Sequence, residues 1–66
     1  MLYRNKKKGT LYKLIGTAIN CTNAQDGQIM LIYEPFEQGD EPLIFVRERQ
    51  EFYEKFELVE DIDVLN

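Results

Sequence analysis

The sequence predicts an all-β fold. Three observations carry that prediction: short runs of β-branched and aromatic residues at strand length, turn-forming pairs between them, and little sustained helical periodicity. Leu11-Tyr12-Lys13-Leu14-Ile15 followed by Thr17-Ala18-Ile19 reads as one strand, with Gly16 marking a bend or bulge. Asn20 to Gly27 is a polar loop closing on the Asp26-Gly27 turn pair. Gln28-Ile29-Met30-Leu31-Ile32-Tyr33 is a continuous apolar run of strand length, read as central and buried on both faces. Pro35 demotes further pairing, and Gln38-Gly39-Asp40-Glu41-Pro42 forms a second turn before the strand Leu43-Ile44-Phe45-Val46.

The period then changes. Charges flank Val46, Phe52 and Phe56, and Glu51 precedes Lys55 by four residues, the favourable order for a helix. One helical turn near 48–53 follows, with Phe52 plugging one end of the core. Phe56-Glu57-Leu58-Val59 alternates and fits a closing strand. Glu60 to Asn66 is an acidic tail whose Ile62, Val64 and Leu65 extend that strand or dock on a neighbour. The whole is a small barrel-like, SH3-like meander of four to five strands: one domain over 1–59, then the tail over 60–66. Bending toward closure hides strand edges that would otherwise aggregate.

Size and charge add constraints. Sixty-six residues leave room for one core, and a chain this short buries only roughly 60% of its unfolded surface. One cysteine, Cys21, and no histidine exclude an internal disulfide and an ordinary zinc site. Self-association into a homo-oligomer is the remaining stabilising device. A lone cysteine, the absence of an apolar span and a lysine-rich start point to the cytoplasm and away from membranes. The net charge of −4 conceals an asymmetry. Arg4, Lys6, Lys7, Lys8 and Lys13 precede every acid, whereas twelve acids from Asp26 onward face only Arg47, Arg49 and Lys55. If the first and last strands meet, the basic start lies beside the acidic end.

The blocks Tyr3-Arg4, Lys8-Gly9-Thr10-Leu11-Tyr12-Lys13-Leu14-Ile15-Gly16-Thr17-Ala18, Met30-Leu31-Ile32-Tyr33, Phe45-Val46-Arg47 and Phe52 occur in that order. They resemble an uncharacterised family of small bacterial and phage domains with the pattern Y-R-H-x-K-G-x-x-Y-x-V-L-G-x-A, then V-V-Y-R, then W-V-R-P-x-x-M-F. The resemblance spans Tyr3 to about Val59. It implies a fold and no activity, because the family is a domain of unknown function. Asn5 stands where the family often has histidine, the lysine run is one residue longer, Phe45 replaces an indole or phenol, and Glu48 replaces proline. The loop Asn20–Gly27 is more similar to phage members, which implies a phage or mobile-element origin and a host-cell cytoplasm.

No catalytic constellation emerges. Cys21 has no histidine to activate it, and a carboxylate pair such as Glu48 and Glu51 is inevitable among twelve acids. The tail acids Glu60, Asp61 and Asp63 lack the spacing of a calcium loop, so neither metal nor cofactor is expected. The expected function is a non-enzymatic binding or interaction module, with three candidate surfaces. The resemblance aligns Tyr3, Arg4, Tyr12, Tyr33 and Arg47 from separate strands, a set suited to a small nucleotide-like anion. Its alternative is that Arg47 pairs with a C-terminal acid while the tyrosines pack the barrel. Lys6, Lys7 and Lys8, between Tyr3 and Tyr12, suit nucleic acid, against which the acidic remainder argues. Glu48, Glu51 and Glu54 head the dense acidic stretch and suit a host protein, or are simply solvated surface.

Overall fold

A computed structural model describes residues 1–22 and 27–60. The sequence-based expectations for Asn23–Asp26 and for the tail 61–66, including the strand extension through Ile62, Val64 and Leu65, lie outside the described residues. Among the described residues, five strands and one helix follow in chain order: β1 (Leu2–Asn5), β2 (Leu11–Asn20), β3 (Gln28–Pro35), β4 (Phe45–Glu48), α1 (Arg49–Lys55) and β5 (Phe56–Glu60). All pairings are antiparallel, in the spatial order β4-β3-β2-β1-β5. The first and last strands do meet. The sheet is barrel-like without closing: β4 and β5 are its two edges, and α1 carries the chain from one to the other.

β2 is the long strand that its β-branched and aromatic composition predicts. Its pairing with β3 shifts register between Leu14 and Gly16, which makes Ile15 the extra residue of a bulge. The bulge adjoins the glycine, as expected. β3 corrects the prediction of burial on both faces. Leu31 and Tyr33 are buried, whereas the rest of the strand is only partly covered. The apolar run therefore covers one inner face, with a second face left half open to solvent. Pro35 also pairs, opposite Tyr12, at the last position of β3 where a missing donor costs least.

The remaining differences are at boundaries. β4 begins at Phe45 and not Leu43; Leu43 and Ile44 precede it as exposed residues. The helix runs over Arg49–Lys55, two residues beyond the expected turn, with Glu48 outside it. β1, for which the sequence delimits no separate strand, pairs Tyr3 with Tyr12 and Asn5 with Phe56.

The core is aromatic. Phe52 is fully buried, with Leu2, Tyr3, Leu31, Tyr33 and Phe56 each under 10% exposed. The Phe52 and Phe56 rings stack at 4.4 Å and 7°. Tyr3 and Tyr33 meet Phe52 edge-on at 5.0 and 5.1 Å. Edge-to-face pairs of this kind are worth about 0.5–1.5 kcal/mol beyond the area they bury. Phe52 thus anchors α1, as its position among charged neighbours predicted.

The charge asymmetry resolves into specific pairs. Arg4 lies opposite Glu57 across β1 and β5, with Nε 3.7 Å from the carboxylate. Lys13 pairs across β2 and β3 with Glu34 at 3.4 Å. The first pair is exposed and the second half-buried, and each contributes little, about 0.2–1 kcal/mol at most. Among the described residues, Arg4–Glu57 is the ion pair that joins the basic start to the acidic end. Among the described residues, Lys6, Lys7 and Lys8 make no ion pair.

Replacing Phe52 by Ala removes the anchor of α1. The expected cost is about 3–5 kcal/mol, a large part of the stability of so small a domain. Chemical denaturation followed by far-ultraviolet circular dichroism measures it, and a loss below about 1 kcal/mol would contradict the packing described.

Candidate functional site

The link between β1 and β2 is a tight turn written into Asn5-Lys6-Lys7-Lys8-Gly9. Asn5 Oδ1 accepts from the backbone N–H of Lys7 at 3.0 Å and of Lys8 at 2.9 Å. Gly9 N–H donates to the Asn5 carbonyl, and Asn5 N–H to that of Thr10, each at 2.8 Å. Gly9 has φ +78°, a conformation that residues with a Cβ adopt only with strain. Lys6 N–H donates to the Lys55 carbonyl at 2.9 Å, tying the turn to the end of α1. The turn amides being occupied, what it offers a ligand is three lysine side chains.

Arg47 approaches from β4. It lies opposite Leu31 in register, on the inner face. Its Nε donates to the Tyr33 hydroxyl at 3.2 Å, and its Nη1 to Glu51 at 2.6 Å. The guanidinium also stands 5.9 Å from the centre of the Phe56 ring. The hydrogen bond to Tyr33, followed by the pairing with Glu51, raises its pKa further above its already high ordinary value. Arg47 is therefore a fixed cation.

These parts line one surface depression of about 380 Å³, formed by Asn5, Lys6, Lys7, Lys8, Arg47, Glu54 and Lys55. Five cations face one carboxylate. Lys6, Lys7, Lys8 and Lys55 make no ion pair among the described residues. A second depression of similar volume, lined by Thr10, Leu11, Tyr12, Pro35, Phe36 and Glu37, is mostly apolar and carries one carboxylate.

The structure regroups the three candidate surfaces. The set Tyr3, Arg4, Tyr12, Tyr33 and Arg47 does not converge on a rim. Tyr3 and Tyr33 are core residues, and Tyr12 packs on Tyr33, Phe45 and Phe56. Arg4 follows buried Tyr3 on β1 and so faces outward toward Glu57, whereas Arg47 faces inward. Arg47 instead joins Lys6, Lys7 and Lys8. The acidic set also divides. Glu48 caps α1, accepting from the backbone N–H of Gln50 at 2.8 Å and of Glu51 at 3.0 Å. Glu51 holds Arg47, and Glu54 enters the depression. Sequence reasoning missed Asn5 and Lys55. The spacing of Asn5 to Gly9 was a readable turn signal. The spacing of Glu51 and Lys55 suggests that they pair, but Glu51 pairs back to Arg47 one turn earlier.

Among the described residues, no cluster of histidine, cysteine, aspartate or glutamate has the arrangement of a metal site. No helix among them is long and apolar enough to cross a membrane. Comparison with protein-family models, with curated proteins and with solved structures finds no match to this chain.

The capping hydrogen bonds lower the pKa of Glu48, the bond from Gln50 more than that from Glu51. A carboxylate depressed in the folded state stabilises it above the ordinary carboxylate range and loses that effect as pH falls through the lowered value. Glu48→Ala should lower Tm at neutral pH, and the gap to the parent protein should close as the solution is acidified. A gap independent of pH would contradict the capping role.

Proposed function

We propose that the protein is a non-enzymatic binding module that holds a small phosphate-bearing anion in the depression between the Asn5–Gly9 turn and α1. The observation that carries this reading is the set of four lysines without ion-pair partners among the described residues, gathered around a fixed arginine. Charges of one sign crowded at a surface repel one another, and a bound anion relieves that repulsion. In a chain of net charge −4 the patch also steers anions to one place. The opposing acidic surface disfavours a long nucleic-acid backbone more than a small ligand. The resemblance of the blocks from Tyr3 to about Val59 to small bacterial and phage domains carries no activity; it supports only a phage or mobile-element origin and a host cytoplasm, and the proposed role in sequestering the ligand rests on the depression alone.

The test is isothermal titration calorimetry with inorganic triphosphate at low salt. Lys7 and Lys8 are exposed and lie in a turn, so the double change Lys7→Glu, Lys8→Glu leaves Tm nearly unchanged. It should weaken binding at least about tenfold, each reversed charge acting at close range on the anion. An unchanged affinity, or no binding by the parent protein, would contradict the proposal.

Self-association is a second reading, favoured by a different observation. Leu43, Ile44 and Val46 at the β4 edge and Leu58 and Val59 at the β5 edge are all exposed. Unpaired strand edges with apolar side chains bind other strands unless covered, and in so small a chain a second copy supplies the missing burial. Sedimentation velocity should show an oligomer that Val46→Lys or Leu58→Lys dissociates. A monomer over the whole micromolar range would exclude it.

A further inference from the structure

The depression is chemically narrow in a way that identifies which part of a ligand it contacts. Among the described residues its lining holds five cations, one carboxylate and one amide, and no aromatic or aliphatic side chain of the kind on which a base stacks. The aromatic residues nearest in the fold are engaged elsewhere. Tyr3 and Tyr33 are 5% and 4% exposed inside the core. Tyr53 is exposed, yet its ring packs against Tyr3 and Phe52 and does not line the depression.

Charge and volume set the size of the anion. Glu51 already neutralises Arg47, and Glu54 offsets one of the four lysines, leaving an excess of three positive charges. A volume of about 380 Å³ has room for about a dozen waters at ~30 Å³ each, more than a single phosphate group needs. The four lysines are point charges on flexible stems, and the one fork that could impose planar, bidentate geometry has Nε and Nη1 committed to Tyr33 and Glu51. Selection by such a lining follows the sum of Coulomb attractions and not shape.

Resting on the anion-binding reading above, we propose that the depression takes a linear polyphosphate moiety of two or more phosphates and leaves any attached nucleoside outside. Affinity then depends on the number of phosphates and not on the base. Glu54 is the residue that sets how many charges are needed, because it is the one carboxylate in the lining among the described residues.

The experiment is calorimetric titration of the full chain, at fixed low ionic strength with divalent metals chelated. The ligands are inorganic phosphate, pyrophosphate, triphosphate, and the triphosphates of adenosine, guanosine and uridine. Affinity should rise about tenfold with each added phosphate, as expected for close charges partly screened by water. It should vary less than about threefold between the three nucleotides and inorganic triphosphate. Glu54→Gln should tighten triphosphate binding severalfold while leaving Tm in place. Equal affinity for phosphate and triphosphate, or one nucleotide binding about tenfold tighter than inorganic triphosphate, overturns the inference while the anion site stands. Failure of every anion to bind overturns both.

Discussion

The stack of Phe52 on Phe56 is the contact on which the rest of the molecule depends. Phe52 lies within α1 and Phe56 opens β5, so two parallel rings four residues apart fix where the helix stops and the strand begins. The fixed junction holds the Lys55 carbonyl toward Lys6, and that hydrogen bond docks the β1–β2 turn. The same Phe56 ring lies beneath the Arg47 guanidinium. One aromatic pair therefore positions the three sources of positive charge in the depression: the turn lysines, Lys55 and Arg47. Hydrophobic burial is nondirectional, and here it acquires direction because the stack joins two elements with different periods.

Much of the fold was legible because the relevant signals are local. β-branched and aromatic residues around Gly16 indicated a long bulged strand, and Phe52 isolated among charges indicated a plug. Elements whose limits depend on tertiary partners were not legible. Glu48 reads as a helical residue by composition, but its carboxylate serves the helix better from outside, as an acceptor for two N–H groups. β1 has four residues and no alternation to reveal it; its existence rests on strands at both sides. β3 looks like a doubly buried strand because Ile29, Met30 and Ile32 are apolar, yet a chain this short has too few atoms to cover both faces.

The site was legible in composition and illegible in grouping. The lysine run was evident as a cationic cluster. What the sequence could not place was the face that each arginine takes, because alternation along β1 and β4 sends Arg4 outward and Arg47 inward. Nor could residue type tell a ligand-facing tyrosine from a core one: Tyr3 and Tyr33 have hydroxyls suited to a ligand, but their rings complete the core. The candidates assigned to separate partners thus merge at one depression, where Lys6, Lys7, Lys8, Arg47 and Glu54 meet.

Whether these side chains form one anion site can be read residue by residue. Nitrogen-15 amide shifts followed during titration with inorganic triphosphate would locate the bound anion. The largest changes should fall at Asn5 to Gly9, Glu54 and Lys55, with the Arg47 side-chain signal moving on the same binding curve. Changes distributed evenly over every cation, Arg4 and Lys13 included, would show diffuse charge screening and contradict a defined site.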